Sequence, residues 1–83
     1  MPSNFSLSHH AHHQMQVRNI DPAWIEATLT HPDRIQPNAD SQGNTHYRKQ
    51  IANFGDRWLR VIVNPTVDPQ NVITLFFDRR LKS

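Results

Sequence analysis

The sequence has no cysteine, which excludes disulfides, cysteine-based zinc sites and thiol catalysis. That absence fits a reducing compartment, and a cytoplasmic protein is expected. No apolar run approaches the roughly 18 residues of a membrane span, so no membrane is expected among its partners. Residues 1–20 have neither a basic start nor a continuous apolar stretch, so no cleavable signal is expected there. Length is short as well: 83 residues and 9.7 kDa allow one domain, residues 1–83. Such a chain has no room for a large closed substrate cavity.

What is present suits a polar but foldable domain. Hydrophobic residues make up 36% of the chain, and the two glycines fall in turn-rich stretches. The net charge of +2 hides an asymmetry. Residues 1–42 carry two Arg/Lys against four Asp/Glu, and residues 43–83 carry seven against three. A basic half on a small domain suits an anionic partner, either nucleic acid or an acidic protein segment. It also suits a merely solvated surface.

The pattern along the chain predicts an α+β fold. Phe5-Ser6-Leu7 reads as a short strand, and Ser8 as the N-cap of a helix over His9–Arg18. Ala11 and Met15 share one stripe of that helix, and Asn19 suits the left-handed position that ends it. Asp21-Pro22 opens a second helix with a cap followed by proline at the first helical position. Trp24, Ile25, Thr28 and Leu29 form its apolar face, and His31-Pro32 ends it. The periodicity then changes. Arg34-Ile35-Gln36, Thr45–Ile51, Trp58–Asn64 and Asn71–Phe77 read as strands, joined by a loop over Pro37–Asn44, a turn over Asn53–Asp56 and a connection over Pro65–Gln70. Short connections between the last three strands predict an antiparallel meander. The expected architecture is a two-helix hairpin packed on one face of a small antiparallel sheet. Trp24, Ile25 and Leu29 should be among its most buried residues.

Strand alternation divides the side chains between faces. Leu59, Val61 and Val63 should face the helices. His46, Arg48, Gln50, Trp58, Arg60 and Thr74 should face away, with Val72 and Phe76 on the same side as Thr74. Such a face can serve phosphate chemistry. Histidine moves protons near neutral pH, arginine presents a planar fork to phosphate oxygens, and an aromatic ring gives a base a stacking surface. Exposed antiparallel strands also carry Arg, Thr and His simply for solubility. His9, His10, His12 and His13 invite a metal reading, but no carboxylate or cysteine accompanies them. No metal site and no cofactor is expected.

A wider pattern joins these elements: His10-Ala11, Gln14-Met15 and Arg18-Asn19-Ile20, then Trp24-Ile25 and Pro32-Asp33. Tyr47-Arg48-Lys49, Leu59-Arg60-Val61-Ile62-Val63 and Val72-Ile73-Thr74-Leu75-Phe76 follow. Across residues 5–80 this order resembles an uncharacterised bacterial domain family allied with the RelE/ParE toxin superfamily. Gln14 stands where that family usually has arginine, and Asn19 where it often has glycine. The resemblance implies a RelE/ParE-like fold and the toxin of a toxin–antitoxin pair, with an acidic, partly disordered antitoxin as partner. It further implies a metal-independent endoribonuclease acting on RNA, either free or ribosome-bound. The alternative is a non-catalytic binding module or a gyrase inhibitor on the same fold. His10 and His46 are then the candidates for proton transfer, with Arg48 and Arg60 completing the catalytic set. Arg18, Lys49, Trp58, Arg79 and Arg80 are the candidates for nucleic-acid binding.

Overall fold

The computed structural model describes residues 5–64, 66 and 70–78. The basic tail with Arg79 and Arg80, and most of the connection after Asn64, lie outside the described residues. The elements in chain order are β1 (Phe5–Leu7), α1 (His9–Val17), α2 (Pro22–Thr30), β2 (Arg34–Gln36), β3 (Thr45–Ile51), β4 (Arg57–Asn64) and β5 (Gln70–Phe77). A single 3-10 turn, Ala52–Phe54, joins β3 to β4. One five-stranded sheet results, in the order β1-β5-β4-β3-β2. Strands β2 to β5 are antiparallel to their neighbours. The edge strand β1 runs parallel to β5, so the sheet is mixed rather than purely antiparallel.

Local chemistry sets both helices. The Ser8 hydroxyl accepts the Ala11 N–H at 3.0 Å and donates to the Ile73 carbonyl at 2.7 Å, so one side chain caps α1 and ties it to β5. Helix α1 stops in a Schellman arrangement. Asn19 takes φ 53, the Asn19 N–H reaches the Gln16 carbonyl, and the Ile20 N–H reaches the Met15 carbonyl. This brings Ile20 into the core, where it is buried. The Asp21 carboxylate caps α2 by accepting the Ala23 N–H, and Pro22 occupies the first turn. Between β3 and β4 the reversal passes through Gly55 at φ 65 and Asp56 at φ 57, backbone that a β-branched residue would strain.

The core lies between one sheet face and the helices. Leu59, Val61, Val63, Val72 and Leu75 are fully buried there beside Ala11 and Ile25. Helix α1 rests on β5 and β1, and α2 rests on β3 and β4. Each helix packs mainly on its own pair of strands, and less on the other helix than the expected hairpin implies. Within α2 the most buried positions are Ile25 and Thr28, whereas Trp24 and Leu29 are only half-buried. Thr28 is tolerated in the core because its hydroxyl donates to the Trp24 carbonyl at 2.7 Å.

One expected face assignment is overturned. Val72 faces the helices, not the open side, and is completely buried. The cause is a register irregularity in the β4–β5 ladder: Ile62 pairs with Thr74, but Val63 pairs with Val72, leaving Ile73 as the extra residue. A bulge resets the alternation, so residues before it change face. The Ser8 hydroxyl bonds to the carbonyl of this extra residue.

The double role of Ser8 is testable. Ser8→Ala should lower stability by about 1–2 kcal/mol, the upper part of the range for a lost N-cap, because the Ile73 carbonyl also loses its donor. Equilibrium urea unfolding measures this, and an unchanged midpoint would show that the hydroxyl is dispensable.

Candidate nucleic-acid interface

The face turned away from the helices takes its order from the strand register. Arg34 pairs with Arg48, Arg48 with Arg60, and Arg60 with Phe76. A row of three arginines therefore crosses β2, β3 and β4 and meets an aromatic ring on β5. Facing residues on neighbouring strands have Cα atoms about 4.5–5.5 Å apart, so the three arginines occupy consecutive positions across the sheet. A second row joins Gln36, His46, Ile62 and Thr74, and Gln50 pairs with Trp58.

Each arginine is held differently. The Arg34 guanidinium lies 5.1 Å from the Trp58 ring centroid. Arg48 donates from Nη2 to the neutral Gln36 side chain at 3.0 Å. Arg60 sits 5.7 Å from the Phe76 ring centroid and pairs with Asp78 at 2.6 Å. Asp78 thus brings a carboxylate to the β4–β5 end of the row. Three buried polar atoms on this face have no protein hydrogen-bond partner among the described residues: His46 Nδ1, Arg48 Nε and Trp58 Nε1. The last two are obligate donors, so they want an acceptor.

His46 and Trp58 occupy the expected face but not the expected environment. Trp58 is only 8% exposed and lies beneath Arg34, so its ring is not an open stacking platform. His46 is 7% exposed, and its Nε2 lies 3.2 Å from Asp40 Oδ2. Asp40 organises the loop before β3. It accepts the Gln42 and Asn44 N–H groups and the Asn44 amide. Partial desolvation pushes the Asp40 carboxyl up, but the bonds from His46, Asn44 and Gln42 more than reverse this and hold it at about 2.

The remaining candidates lie elsewhere. His10 is exposed on α1, which packs on the helix side of the sheet, while His46 is on the far side. The sheet separates the two proposed proton carriers, so they do not converge on one phosphate. Lys49 shares the parity of Tyr47 and Ile51 and donates to the His31 carbonyl at 2.9 Å, away from the arginine row. Arg18 lies at the end of α1, beside Arg57 and Phe54. His9, His12 and His13 are exposed with His10. Among the described residues, no group of three or more His, Asp or Glu side chains gathers as metal ligands.

Arg34, Arg57 and Asp40 were not legible as site residues. Arg34 sits in a short strand whose pairing the sequence leaves open. Arg57 lies just before the apolar alternation that marks β4.

A family model described as a domain of unknown function, DUF4258, matches residues 7–77. The chain belongs to the DUF4258 family. The match runs from the last residue of β1 to the end of β5 and so covers both helices and the whole arginine row. No curated protein and no solved structure matches this DUF4258 domain. Among its described residues no helix is long and apolar enough to cross a membrane.

The Asp40–His46 contact gives a pH prediction. Asp40 has its folded-state value lowered to about 2 from 3.8, so its contribution to stability is present above the unfolded value. It is lost as pH falls through the window between those two values. Asp40→Asn should therefore lower the melting temperature at neutral pH and flatten its fall between about pH 4 and pH 2. An identical acid limb in the variant and the parent would remove Asp40 as the source.

Proposed function

We propose that this DUF4258 domain is a non-catalytic binding module that holds the phosphate backbone of RNA against the outer sheet face. The carrying observation is the row Arg34, Arg48 and Arg60, set side by side by register. Like charges directly opposite one another on neighbouring strands destabilise a sheet. A polyanion laid across the row relieves that repulsion. Successive phosphates suit several neighbouring guanidinium forks.

The endoribonuclease form of the reading requires an acid–base pair beside the arginines. His10 is across the sheet, and His46 is buried against Asp40, so the geometry favours binding over cleavage. Membership of a toxin–antitoxin pair, a RelE/ParE relationship and an acidic antitoxin partner rest on the motif resemblance. They are compatible with a binding module.

The test is fluorescence anisotropy of a labelled mixed-sequence single-stranded RNA, titrated at several salt concentrations. Neutralising about three phosphates should give a slope of log K against log salt near −2, at about −0.7 per contact for single strands. Arg48→Ala should weaken binding and reduce the slope by about 0.7. The RNA should remain intact on a denaturing gel. No binding at low salt, or an Arg48→Ala variant that binds like the parent, would sink the proposal. Cleavage that disappears in His46→Ala would restore the nuclease reading.

A further inference from the structure

A second basic site lies on the helix side of the sheet. The C-terminal end of α1, the 3-10 turn and the start of β4 border an open groove of about 390 Å³. Val17, Arg18, Phe54, Arg57 and Phe77 line it. Phe54 and Phe77 stack with centroids 4.8 Å apart, and both contact Trp24, at centroid distances of 5.3 and 6.2 Å. Arg57 lies over the Phe54 ring at 5.1 Å, and Val17 is 61% exposed. Arg57 shares the strand parity of Leu59, so this groove opens on the opposite side of the sheet from Arg34, Arg48 and Arg60.

We infer that this groove binds a mononucleotide, with the base against the aromatic wall and the phosphate between Arg18 and Arg57. Three features select that chemistry. The volume lies at the small end of the range for small-molecule sites, about 300–1,000 Å³, so it suits one nucleotide unit rather than a folded partner. Among the described residues no acidic side chain lines the groove, so its charge calls for an anion. The stacked Phe54–Phe77 pair offers its ring edges to a planar, polarisable base for edge-to-face contact, which leaves Arg18 and Arg57 to the phosphate. The phosphate is recognised whether the nucleotide is free or ends an RNA strand with a 5′-phosphate.

Trp24 supplies an internal reporter because it touches both rings of the wall. The experiment uses the full chain carrying Trp58→Phe, which leaves Trp24 as the only tryptophan. Titration with adenosine 5′-monophosphate should give a saturable change in Trp24 fluorescence. Adenosine and inorganic phosphate should each bind at least about tenfold more weakly, since each lacks one half of the recognised chemistry. Arg18→Ala and Arg57→Ala should each weaken binding by about tenfold, the scale of one lost charge-assisted hydrogen bond. Both residues are exposed, and circular dichroism checks that the variants fold. Proton NMR of the Phe54 and Phe77 rings in the unmodified chain gives a second readout that needs no substitution.

Short oligonucleotides with and without a 5′-phosphate separate the sources. Tighter binding of the phosphorylated strand than of the free nucleotide assigns the groove to a strand end, and the reverse assigns it to the free nucleotide. No saturable response to either at millimolar concentration, or equal binding of adenosine and its monophosphate, would overturn the inference. Arg48→Ala should leave this response unchanged while weakening RNA on the outer face, so the two sites can fail separately.

Discussion

Burial of one side of β4 is the constraint on which the rest depends. Leu59, Val61 and Val63 are fully removed from water beneath the helices. Shifting the strand by one residue would exchange them for Trp58, Arg60 and Ile62 and place a guanidinium in the core. The hydrophobic effect therefore locks the register. That register sets Arg48 opposite Arg60 and, through β2, Arg34 opposite Arg48. The sheet accepts the resulting repulsion because each cation has local company: an indole under Arg34, an amide beside Arg48, and a carboxylate and a phenyl ring beside Arg60.

The elements were legible where chemistry is local. Ser8, Asp21-Pro22, Asn19 and His31-Pro32 announce helix ends through hydrogen bonds and backbone preferences spanning a few residues. Alternation placed β3 and β4 correctly because neither contains an irregularity before Ile62. It failed at Val72, where a single extra residue in the ladder reverses the faces and nothing in Asn71-Val72-Ile73 marks it. A bulge is a property of two strands together, and a single strand's sequence does not display it.

The site was less legible than the fold because alternation gives the side of a residue but not its depth. His46 and Trp58 lie on the expected side, yet Asp40 and Arg34 cover them. Both covering residues come from β2 and the loop that follows it, whose placement depends on tertiary pairing. Arg18 and Arg57 are distant in sequence and meet only because α1 ends where β4 begins. The family match, over nearly the same span as the strands, adds membership without adding chemistry.

The parallel edge strand has a consequence for the order in which the chain can be assembled. Strand β1 has one neighbour, β5, and the Ser8–Ile73 bond spans 65 residues. During synthesis β1 emerges before the other four strands and has no sheet partner until β5 has followed it. Closing so long a loop carries a large entropic charge that grows only slowly with length, and it is offset when the last strand docks. The strand made before the other four is thus among the last secured, and a chain truncated before Val72 would have a meander without a clasp for its leading strand.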